Sequence, residues 1–214
     1  MSHVLVVCAK RYNGHELWVL LGVLRQRGHT FEVVSQHETI RDELTLRPNT
    51  ISRTVWNVTT SDIEKFDAVT VVSGNMADTE AYWDDSHVQK LLQEARVQDK
   101  VIGAICCSVP TLASVVEGVK VSFYPLVRSR YRLESAGAIL QTVALTRDGK
   151  TITAEHQMAA QMWAEEICNV LEGKPQEHVL IDSKFVPRGR ERRPIPEVER
   201  LKELRRNAHD VHGD

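Results

Sequence analysis

Residues 3–9 read HVLVVCA, an apolar run with no polar alternation. A strand with one solvated face alternates apolar and polar side chains. A continuous run belongs to a strand covered on both faces, which is the habit of parallel sheets. Residues 66–73 (FDAVTVVS) and 101–105 (VIGAI) repeat the pattern. The intervals between them have helical spacing. Leu17, Leu20, Leu21 and Leu24 make one stripe over 15–27, and Gly28 is placed to close it. A second strand follows at 30–35 (TFEVVS). Strand, helix and strand within about thirty residues form a βαβ unit, whose strands are parallel. Asp84-Asp85-Ser86 is a cap signal before a helix carrying Val88, Leu91, Leu92 and Ala95. The chain therefore predicts an α/β fold, a doubly wound sandwich with a mostly parallel sheet and helices on both faces.

The remainder divides in two. Residues 36–66 are less regular, with extended segments expected in 51–60. Residues 119–124 form a short strand before Pro125. Residues 137–146 and 150–154 flank a hairpin turn at Arg147-Asp148-Gly149. A helix over 156–171 buries Met162, Trp163, Ile167, Val170 and Leu171 and closes at Gly173. This sets one α/β domain at 1–173 and an extension at 174–214. The extension holds Arg188, Arg190, Arg192 and Arg193 and a polar helix over 196–206. Its apolar contacts, Val198, Leu201 and Leu204, are too few to fold alone, so it is expected to pack on the domain or on a partner subunit. A net charge of −2 argues against nucleic acid as the main partner. No stretch reaches the ~20 apolar residues of a membrane span, and the amino terminus enters a strand pattern without a signal region. The four cysteines have neither zinc nor disulfide spacing. A cytoplasmic location and no metal follow as expectations.

Chemistry concentrates where 101–105 stops at Cys106-Cys107-Ser108. A helix is expected at once, over 108–117, with Pro110 in its first turn. A strand that ends in a nucleophile and turns directly into a helix is a nucleophile elbow. Such a setting is expected to lower the thiol pKa below its usual ~8.5. In a doubly wound sheet ligands bind at the carboxyl ends of the strands, and three loops meet there: 10–16, 74–77 and 106–108. Glu16 opens the first helix above the first strand and is the candidate proton partner of Cys106. The backbone N–H groups of Asn75 and Cys107 are candidates for an oxyanion hole, with Gly74 permitting close approach. Cys8, inside the first strand, reads as an inert core thiol.

These pieces, in this order, resemble the ThiJ/PfpI superfamily, whose fold is flavodoxin-like and related to class I glutamine amidotransferases. The group includes the parkinsonism-associated deglycase/glyoxalase and PfpI-type intracellular proteases. The resemblance rests on Leu5-Val6-Val7-Cys8-Ala9, Gly14-His15-Glu16, Phe66-Asp67-Ala68-Val69, Gly74-Asn75, Gly103-Ala104-Ile105-Cys106 with Pro110-Thr111-Leu112, and the hairpin and last helix over 137–172. It implies that Cys106 is the nucleophilic, oxidation-sensitive cysteine, that Glu16 contacts it, and that the protein is a homodimer. Where many members carry a histidine before a Pro-Leu pair, this chain has Tyr124. With a pKa near ~10, tyrosine is a poor base at neutral pH. His156 and His15 are candidate replacements in the pocket. Cys107 is a second departure, read mainly as a packed residue. The expectation is a cofactor-independent hydrolase or glyoxalase/lyase-like enzyme acting on a small electrophilic carbonyl substrate. The alternative is a redox-sensing, stress-response protein that works through oxidation of Cys106.

Overall fold

The computed structural model describes residues 1–51 and 53–175. The expectations for the arginine-rich extension therefore fall almost wholly outside the described residues. In chain order the strands and helices are β1 (His3–Cys8), β2 (Arg11–Tyr12), α1 (Gly14–Gln26), β3 (Thr30–Val34), β4 (Thr39–Asp42), β5 (Pro48–Thr50), β6 (Ala68–Val72), α2 (Met76–Glu80), α3 (Ser86–Val97), β7 (Val101–Ile105), β8 (Lys120–Ser122), α4 (Val127–Ser135), β9 (Ile139–Gln141), β10 (Leu145–Asp148), β11 (Thr151–Ala154) and α5 (Ala160–Leu171).

The central sheet has the order β10-β11-β7-β6-β1-β3. All its neighbours pair in parallel except β10 with β11, which form the expected hairpin. The fold is the mostly parallel α/β sandwich read from the apolar runs. Strand β1 shows why the run is continuous. Val4, Val6 and Cys8 enter one core with α1 and α5, while Leu5 and Val7 enter the other with α3. Cys8 is fully buried, and burial pushes its thiol up to about 12. It is the inert thiol expected.

The helix ends follow local chemistry. The Asn13 side chain accepts from the Glu16 N–H at the start of α1, and Gly28, at φ 74°, ends it. The Asp85 carboxylate accepts from the His87 and Val88 N–H groups and starts α3.

Three expectations are corrected. Residues 51–60 carry no strand among the described positions. The extended pieces are β4 and β5, and Val55–Asn57 is a short 3-10 turn. Cys106–Val115 is a 3-10 helix, not an α-helix over 108–117. Its residues are apolar on nearly every side and almost all buried, so its path follows its packing against α3 and α4. Helix α4 was not expected. Its sequence is largely polar, and only Ser129 and Leu133 are buried.

Candidate active site at the carboxyl edge of the sheet

Parallel pairing brings several chain segments to one edge. Val7 pairs with Val71, Val71 with Ala104, and Ile105 with Ala154. The residues that follow these strands therefore leave the sheet side by side: Ser73 after β6, Cys106 after β7, and Glu155 and His156 after β11. Asn13 and Glu16 reach the edge from the loop after β1 and the first turn of α1.

The elbow is present. Ile105 is extended, and Cys106 turns to φ 59°, a left-handed conformation that a non-glycine residue adopts at a cost. Ser108 holds the turn. Its Oγ accepts from the Ile105 N–H at 3.1 Å and lies 2.7 Å from the carbonyls of Val71 and Ile105. Trp83 Nε1 donates to the Cys107 carbonyl at 3.0 Å. The elbow is thus tied to β6 and to the segment between α2 and α3.

Glu16 is fully buried beneath it. The Ser73 N–H donates to its Oε2 at 3.0 Å, and Ser73 Oγ lies 2.9 and 2.7 Å from its two oxygens. Burial raises the Glu16 pKa well above the ordinary carboxyl value. Negative charge on Cys106 would raise it further, and the Ser73 hydrogen bonds oppose both. The protonated form of Glu16 is thus favoured, and its charge is coupled to that of Cys106.

The Cys106 thiol is also raised, contrary to the lowering that an elbow alone predicts. The hydrogen bond with the Cys107 thiol contributes most, followed by burial. The Cys107 N–H and Ser73 Oγ act in the opposite direction and do not overcome them. The sulfurs of Cys106 and Cys107 are 3.7 Å apart. Cys107 is buried as expected, yet it is also a partner of the nucleophile.

Gly74 and Asn75 have a different task from the one the sequence suggests. The Asn75 N–H donates to the Arg11 carbonyl at 2.7 Å, and the Gly74 N–H to Thr79 Oγ1 at 3.0 Å. The Asn75 donor is thereby spent on protein, so the two-donor oxyanion hole is not formed from it. Of that pair, the Cys107 N–H is the donor that faces the sulfur. The close approach at Gly74 is made by protein as well. A Cβ there would sit 1.9 Å from the Arg11 carbonyl oxygen and 2.7 Å from Tyr12 Cα. The bidentate Arg11–Asp78 ion pair holds the same segment against α2.

Tyr124 and His156 meet each other, with ring centroids 5.6 Å apart. The Met158 N–H donates to His156 Nδ1, which leaves the ring proton on Nε2 in the neutral form. Burial lowers the His156 pKa, so the neutral form prevails at pH 7. Beside it, Asn13 Nδ2 donates to Gln157 Oε1 at 2.5 Å and joins the α1 side of the mouth to the His156 side. His15 is exposed next to the buried Glu16. Sequence reasoning missed Ser73, the residue that grips Glu16. Its only signal was its place, as the last residue of an apolar run before Gly74-Asn75. Among the described residues no group of three or more His, Cys, Asp or Glu side chains is arranged to hold a metal.

The sequence model of the DJ-1/PfpI family matches residues 2–170. The chain belongs to the DJ-1/PfpI family. This chain is 26% identical over 171 residues to an uncharacterized protein of Methanocaldococcus jannaschii, spanning 79% of this chain and 82% of that one. Drosophila melanogaster DJ-1beta superposes with a TM-score of 0.69 at 26% identity, over 81% of this chain and 92% of its own. A ThiJ/PfpI domain protein from Brachyspira murdochii shares the fold with a TM-score of 0.72 at 19% identity, over 81% and 98% of the two chains. The DJ-1/PfpI match covers β1 to α5 nearly completely, and with it every residue of the site just described.

Proposed function

We propose that the protein is a cofactor-independent, cysteine-dependent enzyme acting on small electrophilic carbonyl compounds. The observation that carries this reading is the strained elbow at Cys106 beside a fully buried Glu16 whose pKa is raised by burial and coupled to the Cys106 charge. A thiol with raised pKa is a poor nucleophile until its proton has somewhere to go. Addition to a carbonyl supplies that destination. The Cys106 Sγ–C bond forms, the carbonyl π pair moves to oxygen, and the thiol proton ends on that oxygen. Glu16 exchanges the proton on the sulfur side. The Cys107 N–H and His156 Nε2–H supply hydrogen bonds to the developing oxyanion, with Tyr124 orienting the His156 ring. Hydrolysis and glyoxalase/lyase-like rearrangement share this first step.

The test is turnover of a panel of reactive carbonyl compounds by the wild type and by Cys106→Ala. The reading expects consumption by the wild type and loss of at least about 100-fold in the variant. Equal consumption by both would end it.

The 3.7 Å thiol pair favours a second reading, a redox sensor. Oxidation of Cys106 to a sulfinate would place an anion near the Glu16 carboxyl, whose pKa that charge would raise further, favouring a protonated, donating form. A peroxide-dependent change in partner binding, lost in Cys106→Ala and without carbonyl turnover, would select this reading. The proposal also includes a cytoplasmic homodimer, with 1–173 as the folded unit. A sedimentation measurement giving a monomer would remove that part. Among the described residues no helix is long and apolar enough to cross a membrane.

A further inference from the structure

In a regular strand, successive side chains point to opposite faces, so adjacent cysteines keep their thiols apart. The left-handed turn at Cys106 breaks that alternation. Both sulfurs face the same space, 3.7 Å from one another, in residues that keep 8% and 7% exposure. The hydrogen bonds at Ser108 Oγ and at the Cys107 carbonyl hold the two residues in that arrangement. Two bonds of roughly 2.3 Å, the length of a metal–thiolate bond, meet at roughly 107° when their sulfurs are 3.7 Å apart. One thiophilic atom thus fits between them with a near-tetrahedral angle.

The surroundings select among thiophilic atoms. A zinc-type site needs three or four protein ligands, and among the described residues no such set converges. An organic trivalent arsenical needs only two, because its third bond is already made to carbon. We propose that Cys106 and Cys107 form a bidentate dithiol site for trivalent organic arsenicals. The step is a condensation. For the hydrated form R–As(OH)2, which phenylarsine oxide gives in water, two S–H and two As–O bonds break, two As–S and two O–H bonds form, two waters leave, and arsenic stays trivalent, so no oxidant is needed. The thiol protons depart with the arsenical's oxygens, so the reaction needs no separate base. The site does not depend on carbonyl chemistry, since it asks only for two thiols at this distance.

The probe is phenylarsine oxide added to the reduced full-length chain. One equivalent is expected to bind, and two of the four cysteine thiols should vanish from a titration in denaturant. Peptide mapping should place the protection from alkylation on Cys106 and Cys107. The adduct should withstand millimolar glutathione and be released by a small dithiol. Cys106→Ser and Cys107→Ser should each weaken binding by at least about 100-fold, the loss expected when a chelate becomes a single contact. Cys168→Ser should bind as the wild type does. Glutathione-resistant binding retained by Cys107→Ser would overturn the proposal, as would protection mapped to Cys8 or Cys168. The wild-type thiol count and map decide the question even if a variant fails to fold.

Discussion

Ser73→Ala tests the linkage at the centre of the site. The substitution deletes an Oγ that sits 2.9 and 2.7 Å from the Glu16 oxygens and leaves the Ser73 N–H, at 3.0 Å, in place. Glu16 and Ser73 are 0% and 2% exposed, so water does not replace the missing donor. Removing one partner of a buried polar group costs about 1–3 kcal/mol. In a chain of this length each kcal/mol moves the Tm by about 2–4 °C, so a fall of roughly 2–12 °C is expected. The effect depends on pH with a definite sign. Glu16 has a folded-state pKa above its unfolded value of about 4.3. Its contribution to stability is full below about 4.3 and is lost as pH rises through the folded value. Without Ser73 Oγ the ionised form loses a donor and the folded value rises further. The Tm gap between wild type and variant should therefore widen as pH increases. Ser73 also favours the ionised Cys106 thiol. A lost hydrogen bond of about 1 kcal/mol slows iodoacetamide alkylation by roughly fivefold at fixed pH. The measurements are thermal melts over a pH series and alkylation rates, each repeated in a Glu16→Gln background. A pH-independent gap, or the same gap in that background, would refute the linkage.

Gly74→Ala places a Cβ 1.9 Å from the Arg11 carbonyl oxygen, so that backbone must retreat by more than about 1 Å. A destabilisation of at least about 3 kcal/mol is expected in urea unfolding, and a change below 1 kcal/mol would show that β2 yields freely. Ser108→Ala leaves the buried Ile105 N–H without its partner and is expected to cost about 1–3 kcal/mol. Faster cleavage near the elbow by added protease would accompany that loss. Glu172 is held well below the usual carboxylate range by Arg27, then by Lys174 and His29. Its stabilising contribution is present above its unfolded pKa of about 4.3 and fades as pH falls through the lowered folded value. Glu172→Gln should accordingly lower the Tm near neutrality and converge with wild type in strong acid. A constant difference across that range would contradict the assignment.

The layers of the fold are written in local stretches of the chain. Unbroken apolar runs at β1, β6 and β7 require cover on both faces, and the leucine spacing of α1 and the Asp85 cap of α3 specify the helices that provide it. These are local signals, carried by unbroken apolar runs, by the 3.6-residue helical period and by caps a few positions long. The elbow was legible for the same reason, since strand, turn and Cys106 lie within ten residues. The signal failed where burial lacks a period. Helix α4 has almost no apolar stripe, and Cys106–Val115 is buried on nearly every side.

The wiring of the site depends on contacts between segments far apart in the chain. The grip of Ser73 on Glu16 spans 57 positions and exists because β6 lies beside β1. The Asn75 N–H is spent on Arg11 because a two-residue strand crosses the end of β6, and Gly74 is small for that neighbour. Cys107 looked like packing, yet one left-handed residue sets its sulfur beside that of Cys106 and reverses the expected direction of the thiol pKa. Periodicity reports which side of a segment is buried. Which donor meets which acceptor is settled by the register of strands distant in sequence, and the protonation state of a buried group follows that choice.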